Sequence, residues 1–350
     1  MSKFTLPQKF MLPYGICTLG NDYVFDQIIA LLNSIEAIMG ADFPVCIYPY
    51  DDRIDRLAEA IQDRPNVQIY QAAESIAYWD RQAQRIWDIH PTAAATWAKV
   101  TTDKYHRMGT HRRFCAFDGP FERFIYMDAD TLLMGDVQPI FNQLDHCDWY
   151  VYDFQHADIT HVYNHQVPQL NAVFSPDRLA REIFCSGFYA SKRGVFGPEK
   201  LDEMWQLLAA GEAEILYSMA PDQTILNYWV MRSEIKSYNA ALELSPEKTT
   251  GCCVTSDHFE VRDQIVYDRG NRLTYLHYIG LPSGLFREIC AGQNWSCAYR
   301  DVFLHYRYLR EPEARPQFSG SPQVPPPKVS RRRQLFNQLK RRTAKVFRPA

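Results

Sequence analysis

The sequence contains no apolar run approaching the roughly 18 residues of a membrane-spanning helix. It has no C-x-x-C pair, and its nine cysteines are odd in number and scattered, several of them inside apolar runs (Cys17, Cys46, Cys115, Cys185). That pattern argues against a disulfide framework or a zinc site and fits reduced core residues of a cytoplasmic protein. Cys252 and Cys253 are neighbours without metal-ligand spacing. The opening residues, Met1 to Thr5, carry a charge but no long apolar segment and no small-residue cleavage site, so secretion is not expected. Acid is missing from residues 314–350, which hold ten Lys or Arg; the first 313 residues therefore carry the other 28 basic side chains against all 41 acidic ones. An acidic body argues against nucleic acid as the main partner.

A chain of 350 residues that is 46% hydrophobic can bury a sizeable core in one or two domains. Tyr14 to Thr18 reads as a first strand, followed by the turn cluster Gly20-Asn21-Asp22. From Tyr23 to Met39, Val24, Ile28, Leu31, Leu32, Ile35 and Ile38 recur at spacings of three and four, which predicts an amphipathic helix. A strand at Phe43–Tyr48, a helix to about Ile61 and a strand at Val67–Tyr70 follow. This alternation opens a parallel α/β sheet. Residues 74 to 117 read as helical, with Trp79, Trp87 and Trp97 as packing anchors. Strands are expected at Trp149–Asp153, at Ile183–Tyr189 and at Leu273–Gly280. Helices are expected at Leu201–Leu208 and from Pro221 to Val230. His156, His161 and His165 fall in a stretch without period, read as a polar surface loop near the active site.

The organising stretch is Phe124-Ile125-Tyr126-Met127-Asp128-Ala129-Asp130-Thr131. Four apolar residues after Gly119-Pro120 read as a strand buried on both faces. Two carboxylates at its end are costly unless paired or bound to a cation, and the carboxyl ends of strands in open α/β sheets are where ligands sit. The residues alone leave two readings, a divalent-metal site holding a phosphate-bearing ligand or a solvated strand-to-loop turn.

Taken in order, T-L-G-N-D-Y at 18–23, Y-M-D-A-D-T-L-L-x-G-D from Tyr126, F-x-S-G from Phe184, P-D-Q-x-x-L-N from Pro221 and H-Y-I-G from His277 resemble the GT-A-fold glycosyltransferases of family 8. That family includes glycogenin and the bacterial lipopolysaccharide galactosyl- and glucosyltransferases. The resemblance covers roughly residues 12 to 285. It implies a single catalytic α/β domain over 1–310, a GT-A fold with a Rossmann-like, mixed, mostly parallel sheet flanked by helices. It also implies a metal-dependent hexosyltransferase, with retention of configuration, that takes a nucleotide-sugar donor, usually UDP-linked, and Mn²⁺ or Mg²⁺. The expected acceptor is a glycan, a lipopolysaccharide or a lipid-linked saccharide, as in polysaccharide biosynthesis.

Residue by residue, Asp128 and Asp130 match the family's metal pair and His277 its third protein ligand. Thr18, Leu19, Asn21 and Tyr23 match the loop that holds uracil and ribose, and Ala129, Ser186, Gly187 and Gly280 fall at further donor contacts. Arg112, with Arg113 as the near alternative, matches a basic residue on the donor. Asp153, Asp222 and Gln223 match residues at the donor sugar. Two positions depart from the pattern: Cys185 stands where the family has Asn, and Ser283 where it has Lys, so that charge on the diphosphate is expected from elsewhere, with Arg287 as one source. A haloacid dehalogenase-type phosphatase fits less well, because Leu132 stands where its motif wants Thr or Val. A non-catalytic sugar-nucleotide-binding relative is the alternative the two departures raise.

Residues 311–329 are Pro-rich and read as a semi-rigid linker. Beyond them, in 330–350, Leu335, Phe336, Leu339, Thr343, Val346 and Phe347 recur at helical spacing among arginines and lysines. A cationic amphipathic tail helix of this kind is expected to anchor the protein peripherally on the anionic cytoplasmic face of a membrane.

Overall fold

The computed structural model describes residues 11–154 and 158–326. The strands, in chain order, are β1 (Leu12–Gly20), β2 (Val45–Pro49), β3 (Val67–Ile69), β4 (Phe121–Met127), β5 (Thr131–Leu133) and β6 (Trp149–Val151). They continue with β7 (Phe188–Lys192), β8 (Ser237–Asn239), β9 (Glu260–Arg262), β10 (Ile265–Asp268), β11 (Asn271–Arg272) and β12 (Tyr275–His277). Seven form one sheet in the order β3-β2-β1-β4-β7-β6-β8. The first four run parallel, β7 is antiparallel to both β4 and β6, and β6 pairs parallel with β8. β5 and β12 form a separate antiparallel pair, and β9 to β11 a small three-stranded sheet.

The alternation of side chains along each strand divides the core between the two faces of the sheet. On β4, Phe124 and Tyr126 enter an aromatic-rich core with Trp79, Phe114, Trp149 and Trp229, whereas Ile125 and Met127 enter an aliphatic one with Ile28, Leu32 and Ile35. The helix Phe25–Met39 thus covers one face, and the helices Ala73–Asp88 and Pro221–Arg232 the other. Both layers meet near the carboxyl ends of β1 and β4, where the first parallel strands release their chains.

Several elements differ from the sequence reading. Residues 74–117 are not one helix. The helix stops at Asp88, Pro91 removes a backbone donor just beyond it, a short helix covers Ala93–Trp97, and Met108–Phe117 is a 3₁₀ stretch. Trp79, Trp87 and Trp97 are nonetheless all buried. Ile183–Gly187 lies outside the sheet, because its backbone is bound by side chains instead of by a neighbouring strand: Asn227 holds Phe184, Asp153 holds Cys185 and Gln223 holds Ser186. The late strand is only Tyr275–His277, and the chain turns at Gly280, whose φ is 80°. Part of the Pro-rich segment is docked: Ser296 N–H donates to the Gln323 carbonyl, Gln323 N–H donates to that of Asn294, and Arg300 lies over the Phe318 ring. The tail expected to form a helix at 330–350, and His156, lie outside the described residues.

Candidate active site

β4 ends at Met127 and β5 starts at Thr131, so Asp128 and Asp130 occupy the short connection between two sheets. Thr131 closes that turn, its N–H and its hydroxyl both donating to the Asp128 carbonyl, at 3.1 and 2.7 Å. The register of β5 with β12 places His277 opposite Thr131, and Tyr278 N–H reaches the Asp130 carbonyl at 2.9 Å. His277 is held from its other side by a bond from its own N–H to the Cys252 carbonyl, 2.7 Å. Residues almost 150 positions apart are thereby brought together by strand pairing, and the imidazole Nε2 stands 3.4 Å from Asp130 Oδ1.

Asp128, Asp130 and His277 offer ligand atoms that all lie within 4.8 Å of one another. Gly187 makes room for them: a Cβ there would sit 2.4 Å from His277 Cε1 and 3.2 Å from Asp128 Oδ2. Two carboxylates and one imidazole around such a space fit Mn²⁺ or Mg²⁺ by donor type. The electrostatics agree with that fit. Burial alone would lower the His277 imidazolium, but Asp130 and Asp128 push it up to about 9, so the two carboxylates favour positive charge at this point. Burial raises the Asp128 carboxyl even beside Arg113, while His277 holds Asp130 below the usual range against the same burial.

Arg113 is the second centre. Its Nη2 lies 2.9 Å from Asp128 Oδ1 and 3.0 Å from Asp222 Oδ2, so one guanidinium joins the acid pair to the start of the helix Pro221–Arg232. Its Nη1 donates to the Ser186 carbonyl and hydroxyl, each at 2.9 Å, and its face lies over Tyr126, whose hydroxyl donates to Asp128 Oδ1 at 3.0 Å. Burial would raise the Asp222 carboxyl, but Arg113, then Arg107, hold it down at about 2. Gln223 spends both ends of its amide on backbone, accepting from Ser186 N–H (3.0 Å) and donating to the His161 carbonyl (2.8 Å). Asp153 accepts from Cys185 N–H at 2.7 Å.

Arg113, Asp128 and Asp130 border a cavity of about 460 Å³. Of the expected residues, Leu19, Asn21, Tyr23, Asp128, Ala129 and Asp130 line it. Asn21 is fixed there by donating to Asp51 (2.9 Å) while accepting from Tyr23 N–H (3.0 Å). Asp153, Ser186, Gly187, Asp222, Gln223 and His277 stand behind this lining, joined to it through Asp128 and Arg113. Thr18 is fully buried in β1 and does not border the cavity; neither does Gly280, although Ser283 three positions on does.

Arg112 is placed elsewhere. It pairs with Asp80 at 3.3 Å and donates to the Pro49 carbonyl, and of the two adjacent arginines it is Arg113 that lines the cavity. In the 3₁₀ stretch successive side chains diverge by a third of a turn, so only one of the two can face the carboxylates. His161 and His165 join no metal-ligand group among the described residues. Gln27, Tyr50, Arg107 and Thr110 also line the cavity and carry no sequence signal, because they come from three separate segments of the chain. Asn227 was legible as the last residue of P-D-Q-x-x-L-N, and it clamps Phe184 through two bonds of 2.9 Å.

No protein-family model and no curated protein matches the chain. Solved structures do. The bifunctional glycosyltransferase WbbM in its apo form aligns with a TM-score of 0.53 at 14% identity, over 89% of this chain and 53% of its own, so this chain spans about half of WbbM. The galactosyltransferase LgtC, solved with donor and acceptor sugar analogues, aligns with a TM-score of 0.49 at 14% identity, over 84% of this chain and 95% of its own. Mouse xyloside xylosyltransferase 1, in its apo form, aligns at 0.47 and 11% identity, over 65% and 85%. At these identities the likeness is one of fold: a mixed α/β domain with a largely parallel central sheet flanked by helices, the GT-A architecture of glycosyltransferases.

Proposed function

We propose that this protein is a metal-dependent glycosyltransferase of the family 8 type, which moves a hexose from a UDP-sugar to a glycan or glycolipid hydroxyl with retention of configuration. The observation that carries the reading is the convergence of Asp128, Asp130 and His277 on one point, with the two carboxylates lining a cavity that Leu19, Asn21 and Tyr23 also border. The first set suits a cation, the second a nucleoside.

In this reading Asp128, Asp130 and His277 hold Mn²⁺ or Mg²⁺, which offsets the charge that grows on a departing nucleoside diphosphate. Tyr23 offers its ring to the base, and Asn21 is pre-oriented by Asp51. Arg113 bridges Asp128 and Asp222 and holds Asp222 ionised at neutral pH, just behind the wall that the donor sugar would meet. Asp153, Gln223 and Asn227 fix the backbone of Phe184, Cys185 and Ser186, and with it the opening beside Gly187. Pre-organisation of this kind lowers the cost of orienting the donor.

The test is a panel of nucleotide sugars scored for metal-dependent release of nucleoside diphosphate, with Asp128→Ala and Asp130→Ala as controls. The wild type should turn over at least one UDP-sugar with Mn²⁺, and both variants should be folded and inactive. Near-native activity in either variant would remove the metal site from the proposal. The alternative reading, a non-catalytic sugar-nucleotide binder, is favoured by the neutral Ser283 and by Cys185, and it requires binding with no donor hydrolysis under any condition.

A further inference from the structure

Three arginines line the cavity: Arg53, Arg107 and Arg113. Two are already neutralised. Arg53 is held by Asp51, and Arg113 by Asp128 and Asp222. Arg107 is exposed, and its side chain makes no hydrogen bond or ion pair with any described residue. Arg287, on the neighbouring helix, lies 4.0 Å over the Tyr23 ring and does not border the cavity, and Ser283 brings no charge to it.

The backbone at Arg107 is also unusual. It is left-handed, with φ 53° and ψ 40°, a conformation that is strained for a non-glycine residue. It is over-determined by its surroundings. Thr110 donates to the Arg107 carbonyl twice, from its N–H at 2.9 Å and from its hydroxyl at 2.8 Å. Gly109 lets the loop lie directly on Tyr50, since a Cβ there would come within 2.2 Å of the Tyr50 carbonyl oxygen. A strained turn pinned at both ends thus presents one unpaired guanidinium to a cavity walled elsewhere by Asp128 and Asp130. A guanidinium without a hydrogen-bonded carboxylate in that position is available to an anionic group entering beside the acid pair, and its fork matches phosphate oxygens two at a time.

We propose that Arg107 binds the diphosphate of the nucleotide ligand, at the oxygens turned away from Asp128 and Asp130. The assignment rests on the nucleotide-sugar reading above and adds the residue that recognises the anion from the opposite side. Its side chain makes no hydrogen bond or ion pair with a described residue and acts on Asp222 only through longer-range charge, so UDP affinity and melting temperature together separate a binding role from a structural one.

Calorimetric titration of the full-length protein in Mn²⁺ with UDP, uridine and inorganic pyrophosphate tests this. Arg107→Gln should weaken UDP about tenfold to a hundredfold, the range of one charge-assisted hydrogen-bonded contact, and leave uridine unchanged. Arg107→Lys should recover part of the loss. Arg107→Gly, which relieves the left-handed backbone, should lose UDP affinity while its melting temperature stays level or rises. UDP binding as tight in Arg107→Gln as in the wild type overturns the assignment and leaves the nucleotide reading standing. If the wild type binds pyrophosphate through Arg107 but no nucleotide, the anion site stands and the nucleotide reading falls. Binding of none of the three probes overturns both.

Discussion

Raising the pH from about 7 to about 9 should strengthen Mn²⁺ binding, and the reason lies at His277. The metal needs the neutral imidazole. In the metal-free fold, Asp130 and Asp128 outweigh burial and push His277 to about 9. At about pH 7 the imidazolium then outnumbers the neutral form by roughly a hundredfold, so each bound ion displaces close to one proton. The apparent affinity should rise by up to about tenfold per pH unit over this interval and level off above it. The same shift has a stability consequence of defined sign. The folded-state value lies above the ordinary 6.5, so the ion pair stabilises the metal-free protein fully below about pH 6.5 and is lost as the pH climbs through about 9. For a side chain this buried, the contribution is on the order of 3 kcal/mol. The assay is calorimetry in two buffers of different ionisation enthalpy, which counts released protons, beside melting curves of metal-free protein across the same range. A pH-independent affinity with no proton released would refute the argument, and so would a melting profile that His277→Gln leaves unchanged.

Arg113→Gln strips the shared partner from two carboxylates and should cost about 3–5 kcal/mol of stability along with donor turnover, whereas Arg112→Gln, which breaks a single, longer pair with Asp80 outside the cavity, should cost less, about 1–2 kcal/mol, and leave nucleotide affinity intact; equal effects would dissolve the distinction between the two. Gly187→Ala places a methyl group against His277 and should reduce Mn²⁺ affinity at least about tenfold, the scale of losing a well-positioned ligand, as measured by metal titration on protein with a native circular dichroism spectrum; unchanged affinity would show that the three ligands do not act together. Asp222→Asn should depress transfer and hydrolysis with little change in UDP affinity, and a large loss of UDP binding would give Asp222 a different role. Truncation after Pro327 should abolish flotation with anionic liposomes that the full chain binds at low salt and releases at high salt; equal binding of the two forms would remove the tail from any membrane role.

The acid pair was legible before any coordinates because a buried strand running into Asp128 and Asp130 is unusual enough to need a cation, a partner or a solvated turn. The parallel start of the sheet was legible from helical and strand periods over residues 14–70. The length of β7 was not, since Phe184, Cys185 and Ser186 look like strand residues until Asn227, Asp153 and Gln223 are found holding their backbones. Nor was the break-up of residues 74–117, where buried tryptophans mark packing but not helix continuity.

Local pattern by itself thus determined the fold class and the position of the acid pair, because periodicity and a costly buried charge are properties of short stretches. Which arginine faces that pair, Arg113 with Asp222 or Arg112 with Asp80, was decided only by the three-dimensional course of a 3₁₀ stretch. That His277 stands 3.4 Å from Asp130 was decided by the register of β12 on β5. That Arg107 reaches the cavity without an ion pair to any described residue was decided by the left-handed turn that precedes the 3₁₀ stretch. Contacts between distant segments depend on how chains pair and turn, and a one-residue slip in either would aim each of these groups elsewhere.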